Sequence, residues 1–248
     1  MSDNQAQTPQ ARSAEWFATT HWSVVLAIRQ DDPARARAAL ERLCQGYWYP
    51  LYAFVRRLGK SPHDAEDLVQ SFFTVCLEKD YLNVADREKG RFRSFLLMML
   101  KRFMANEHQK HLTAKRGGAR PVVELDALAA EERYAVEPVD RLSADKLYER
   151  RWALTLLEQV LARLQREQEE AGRGVLFSHL KVFLTAESGR PYVELAAQLG
   201  LTESTVKVTV HRLRLRYRQL LDDELANTIG SADDLEAERQ HLLESLSV

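Results

Sequence analysis

The sequence predicts an all-α protein: two small helical domains joined by a flexible linker. Three observations carry this expectation. Apolar residues recur at three- and four-residue spacing through most of the 248 residues, the period of a helix that buries one face. Glycine and proline number only 10 and 7, and β-branched residues rarely cluster, so strand signals are weak. From Gly117 to about Ser143 the pattern lapses into Ala, acidic residues, Pro and Gly, the composition of a tether. The length suffices for two cores, and 45% apolar with 29% charged residues is ordinary globular usage.

The elements follow in order. Residues 1–18 read as a flexible N-terminus, and Trp22, Val25 and Leu26 are expected to pack on the first long helix. That helix carries Leu40, Leu43, Tyr47, Leu51, Phe54 and Leu58 and stops at Gly59. Ser61 is placed to cap the next, with Pro62 in its first turn and acidic residues at its positive end. Its inward residues are expected to be Leu68, Phe72, Val75 and Cys76. A third helix runs from about Arg93 through Phe95, Leu96, Met99, Leu100 and Phe103 to about Leu112, closing a first domain over 19–116. After the 117–146 linker, a second domain over 147–222 begins with a helix from Leu147 to Gln168 and another over Val175–Leu184. Two closely spaced helices, Tyr192–Leu199 and Glu203–Leu221, complete it, and an acidic tail spans 223–248.

The longest apolar run, Phe95–Leu100, is far below the roughly 20 residues of a membrane span. The polar N-terminus lacks a signal pattern, which predicts a cytoplasmic protein. Cys44 and Cys76 are too few for a disulfide framework and read as small core residues. The net charge of −1 hides a strong division. From Asn83 to Arg120 ten Lys/Arg face three Asp/Glu, a balance of +7; from Leu201 to Leu221 five face one, or +4. The stretches after them, 121–150 and 222–248, carry −4 and −7. Two basic islands in a near-neutral chain point to nucleic acid.

The second island lies on a recognisable motif. Ala196 is the small residue where two helices pack closely, Gly200 supplies the turn, and Val206 is the apolar anchor of the following helix. Thr202 can cap that helix, and Val206, Val210, Leu213 and Tyr217 form its inward stripe. The second domain is thus expected to contain a helix-turn-helix. Its outward residues, Thr202, Ser204, Thr205, Lys207, Thr209, His211, Arg212 and Arg214, suit a helix that enters a major groove and grips the flanking phosphates.

In the first domain, Asp64-Ala-Glu-Asp-Leu-Val-Gln-Ser-Phe-Phe presents three carboxylates at a helix start, then an apolar face. A solvated acidic turn and a surface for a positively charged protein both fit this pattern. Here the chain resembles the extracytoplasmic-function sigma factors of bacterial RNA polymerase. Their signature is matched by Asp64, Ala65, Glu66, Asp67, Leu68, Gln70 and Phe73, and Tyr47–Gly59 is similar to the family's first core helix. The resemblance covers about Thr19–Leu112 and Leu147–Leu221.

It implies that Asp64, Glu66, Asp67, Leu68, Gln70 and Phe73 bind core RNA polymerase at the clamp helices of its largest subunit, with a further contact to the flap region. It also implies that the first island recognises and opens the promoter minus-ten element, through Arg87, Lys89, Arg91, Phe92, Arg93, Lys101, Arg102, Asn106 and Lys110. Cations along a melted strand and a flat surface for unstacked bases are what such a task needs. The helix-turn-helix would read the minus-thirty-five element. Ser71, Phe95, Asn106 and Thr209 stand where the family often has Glu, Trp, Asp and Arg.

No nucleophile–base pair or phosphate loop emerges, so the chain is not expected to be an enzyme. No cofactor is expected. His108 and His111 lack a third ligand, so no metal is expected either. Two other readings compete with the sigma factor: a helix-turn-helix regulator acting independently of polymerase, and a helical adaptor for an acidic protein. Control by an anti-sigma factor is implied by the family alone. The tail reads first as solvated, but Ser231 as a cap and Leu235, Leu242 and Leu246 on one stripe support a helix that folds onto a basic surface and restrains DNA binding.

Overall fold

The structure, a computed structural model, describes residues 33–78, 91–113, 127–137, 142–185, 192–229 and 234–247. The expectations for the N-terminal residues through Leu26, and the capping role of Ser231, lie outside them. Among the described residues every regular element is a helix: α1 Pro33–Arg57, α2 Pro62–Glu78, α3 Phe92–Thr113, α4 Ala127–Ala135, α5 Ala144–Glu170, α6 Gly174–Leu180, α7 Val182–Thr185, α8 Tyr192–Leu199, α9 Glu203–Ala226 and α10 Leu235–Leu246. None is long and apolar enough to cross a membrane. The chain divides into two units, one of residues 1–152 with 226–248 and one of 153–225. The divisions fall inside α5 and near the end of α9, whereas the sequence places them at 147 and 222.

Unit 1 is built on the stripe of α1. Tyr47, Leu51, Phe54 and Val55 are fully buried, with Val69 and Phe72 of α2 and Leu96, Leu100 and Phe103 of α3. Edge-on aromatic contact joins Tyr47 to Phe92 at 5.5 Å between ring centres, and Phe72 meets Phe103 at 5.8 Å. Gly59, at φ 89°, lets the chain leave α1 in the left-handed region. Leu58 is exposed rather than core, because the turn begins there. Ser61 caps α2 as expected, its Oγ accepting from the Asp64 N–H at 3.1 Å. The inward face of α2 is rotated from the expected one: Ala65, Val69, Phe72, Phe73 and Cys76 are buried, while Leu68 and Val75 are half-exposed. Cys44 and Cys76 are core residues, and burial pushes each thiol up to about 12.

Part of the expected linker is packed structure. Ala130 of α4 is buried, and Leu142 and Leu147 form a small apolar cluster with Ala53 and Tyr134. Glu131 fixes α4 to α1: Arg56 donates to both its oxygens at 2.9 and 2.7 Å, and Tyr52 Oη donates at 2.6 Å. Glu137 is buried, accepting from Tyr49 Oη at 2.9 Å and pairing with Arg151. In the sequence these acids look like linker charge because their α1 partners lie about 75 to 88 residues earlier.

In unit 2, α5 from Ala153 onward contributes Val160 and Leu164 to a core with Phe177, Leu180, Phe183, Leu195, Ala196, Val206, Val210, Leu213 and Leu220. The single helix expected over Val175–Leu184 is two, α6 and α7, joined at Lys181. Between α8 and α9 the chain turns in three residues. Gly200 takes φ 64°, and the Leu201 N–H returns to the Ala196 carbonyl at 2.9 Å.

The pH response of α4 follows from Glu131. The hydrogen bonds from Arg56 hold its carboxyl below the ordinary carboxylate value. A lowered folded-state value means the contribution is present above the unfolded value and is lost as pH falls through the folded one. Protection of the 127–135 amides, taken relative to their intrinsic exchange rate, should therefore fall on acidification below the ordinary carboxylate range, and Glu131→Gln should show the faster exchange already at pH 7. Equal exchange in the two proteins at pH 7 would contradict the anchor.

Candidate nucleic-acid interface

The best-formed polar surface lies on α9. Thr202 Oγ1 accepts from the Thr205 N–H at 3.2 Å, and lies 3.0 and 2.8 Å from the hydroxyls of Ser204 and Thr205. This caps the helix and clusters three hydroxyls at its positive end. Val206 anchors the opposite face, fully buried, with Val210 and Leu213 buried behind it and Tyr217 half-buried. Of the residues the sequence assigns to the outer face, Thr202, Ser204, Thr205, Lys207, His211, Arg212 and Arg214 are exposed and Thr209 is half-buried.

Two cations of this helix are turned to structural work. Arg214 donates to the Phe183 carbonyl from Nε and Nη2, at 3.0 and 2.9 Å. Arg216 binds Glu167 through two parallel bonds of 2.8 and 2.7 Å. Lys207 pairs with Glu203 one turn back at 2.6 Å, an exposed contact of under about 1 kcal/mol that a phosphate could replace. His211, Arg212 and Arg218 are exposed.

On α2, the structure brings Asp64, Glu66 and Asp67 together at the helix start. Asp64 and Asp67 are exposed and Glu66 is half-buried. Asp64 accepts from Ser61 Oγ at 2.8 Å, Glu66 from Gln70 Nε2 at 3.1 Å, and Asp67 lies 3.6 Å from His63. Leu68 and Gln70 are half-buried, but Phe73 is in the core at 2% exposure. Its ring therefore supports the helix from beneath and is not offered to a partner.

The first basic island is only partly a surface. Arg87 and Lys89, and the side chain of Lys110, lie outside the described residues. Lys101, Arg102 and Asn106 are exposed on α3, although Lys101 pairs with Asp145. Phe92, expected as a stacking surface, is fully buried, while Phe95, expected in the core, is half-exposed. Phe92 sits where the backbone enters α3, its N–H bonded to the Thr228 carbonyl at 3.2 Å.

Arg93 departs most from a strand-gripping role, because its side chain is fully buried. Its Nε donates to Glu149 Oε2 at 2.6 Å, its Nη1 donates to Glu238, and its guanidinium lies 4.0 Å from the Trp152 ring centre. Glu238 is also fully buried and pairs with Arg91 Nε at 2.8 Å. His241 Nε2 lies 3.1 Å from the same Glu149 oxygen. Burial opposes the charge of Arg93, but Glu149 and Glu238 outweigh it and hold its proton more tightly than usual.

Reasoning from sequence misses Glu238, Glu149 and Thr228. One signal for Glu238 is present: it lies three residues after Leu235 and four before Leu242, on the apolar stripe of α10. A carboxylate there is buried and needs a cation.

No protein-family model matches the chain, nor does any curated protein or solved structure. Among the described residues no group of three or more His, Cys, Asp and Glu side chains converges to hold a metal ion.

Without Glu238, Arg93 keeps Glu149, but its Nη1 becomes a buried donor with no acceptor, at about 1–3 kcal/mol. Glu238→Ala should therefore lower the stability of unit 1 by that amount, read as reduced exchange protection at the 92–103 amides under added urea. A change below about 1 kcal/mol would show that the pair is dispensable.

Proposed function

We propose that the chain is an RNA polymerase sigma factor, similar to the extracytoplasmic-function class, which binds core polymerase and directs promoter-specific initiation. The observation that carries this reading is the α8–turn–α9 arrangement. A buried Ala196, a left-handed Gly200, a capping Thr202 and a buried Val206 leave Ser204, Thr205, Lys207, His211 and Arg212 exposed along one helix. This supports a helix-turn-helix whose second helix reads DNA. The exposed acids of α2 support the second half of the reading, a docking surface for a basic face of polymerase. Lys101, Arg102 and Asn106 would then contribute to the minus-ten contact.

The tail enters the same reading as a restraint. Glu238 holds Arg91, a cation of the minus-ten track, by an ion pair, and so competes with a phosphate for that guanidinium. On this account Glu238→Gln should raise the affinity of polymerase-bound protein for promoter DNA. Unchanged affinity would leave Glu238 with a purely structural role.

Run-off transcription by core polymerase, with and without the protein, tests the function itself. Initiation at defined start sites only when the protein is present supports the proposal. Operator binding with no effect on core enzyme would favour the independent regulator. In variants, Glu66→Lys with Asp67→Lys should weaken association with core polymerase by about tenfold or more. Lys207→Ala with Arg212→Ala should leave that association intact and weaken promoter binding. The same pair should lower the log–log salt slope of promoter binding by about 1 for each phosphate no longer gripped. Core affinity untouched by the first pair would refute the role of α2.

A further inference from the structure

Helix α9 carries apolar side chains on two faces. Val206, Val210, Leu213 and Leu220 enter the core of unit 2, whereas Val208 and Leu215 are 49% and 50% exposed. At 100° per residue, Val208 lies roughly opposite the buried stripe, at the middle of the solvent face. Its neighbours on that face, Ser204, Lys207, His211 and Arg212, are all exposed and polar or basic. A β-branched side chain is a weaker helix former than Lys or Glu at a solvated site. Among the described residues, Val208 is neither in the core of unit 2 nor packed against it.

We infer that Val208 is the side chain through which α9 recognises thymine, by contact with its C5 methyl group. The inference rests on the reading of α9 as the DNA-reading helix and adds the base class to it. In the major groove the hydrogen-bonding edges of bases suit Ser204, Thr205, Lys207 and Arg212, and the thymine methyl is the one apolar feature presented there. Val208, between these polar residues and within the first two turns of α9, is placed to meet a base edge when the capped end enters the groove. Leu215 lies about 10.5 Å further along the axis, among Arg212 and Arg218. There the helix would be leaving the groove, so Leu215 takes no part in base reading.

The test removes the methyl group and nothing else. Duplexes are enriched from a randomised pool by the 248-residue chain with core RNA polymerase. The preferred duplex is then resynthesised with deoxyuridine in place of one thymidine at a time, which leaves pairing unchanged. At one or two adjacent positions the replacement should raise Kd about fourfold, the equivalent of one buried methyl group. Val208→Ala should bind the thymidine and deoxyuridine duplexes equally, while Leu215→Ala should keep the difference. The inference is overturned if no thymidine position shows a weakening, or if the weakening persists in Val208→Ala. A pool that yields no preferred sequence overturns the DNA-reading role as well, whereas a preferred sequence indifferent to the methyl group overturns only the inference.

Discussion

Arg93 is a guanidinium buried among Glu149, Glu238 and Trp152, and unit 1 is arranged to keep that charge paired. An unpaired cation there would carry a desolvation cost of several kcal/mol, so the surrounding elements have to close over it together. Glu149 arrives from α5 and Glu238 from α10, and Tyr148 Oη donates to the Arg93 carbonyl at 2.9 Å. The same end of α3 receives the Thr228 carbonyl on the Phe92 N–H. Residues from three distant stretches of sequence are thereby committed to one site. Through this contact the last helix belongs to unit 1 rather than trailing behind unit 2.

That arrangement divides the cations of the chain into two kinds. Arg56, Arg93, Arg151 and Arg216 are paired with carboxylates, and Arg214 is bonded to a carbonyl. Lys101, Arg102, Lys207 and Arg212 remain exposed, and the pairings of Lys101 and Lys207 are solvated. Only the second kind can meet a polyanion without dismantling the fold. Charge counts along the sequence add the two kinds together, which makes the first basic island look like a continuous track.

What is legible in the sequence is local. Helix spans, the caps at Ser61 and Thr202, and the turn at Gly200 follow from residues within a few positions of one another. The anchors Ala196 and Val206 are legible for the same reason. The outer face of α9 is legible as well, because a helix has a fixed period and Val206, Val210 and Leu213 define its inner side. Long-range ion pairing is not legible. Nothing near Glu131 announces Arg56, and nothing near Arg93 announces Glu238, 145 residues away. Hence a packed α4 resembles tether in the sequence, and a buried arginine resembles a strand contact. The rotation of α2 that buries Phe73 in place of Leu68 has the same origin on a smaller scale, since two adjacent phenylalanines leave the inward direction of a helix ambiguous.

A chain whose net charge is −1 has little net electrostatic attraction for DNA. A factor of this kind would bind a promoter tightly only when polymerase holds it against the template, which raises its effective concentration there. The most direct test is the affinity of the full chain for one promoter duplex, measured alone and after mixing with core RNA polymerase at the same salt concentration. The account predicts binding tighter by about a hundredfold or more with core polymerase present. Equal affinity in the two measurements would contradict it and identify the chain as a regulator that acts on DNA by itself.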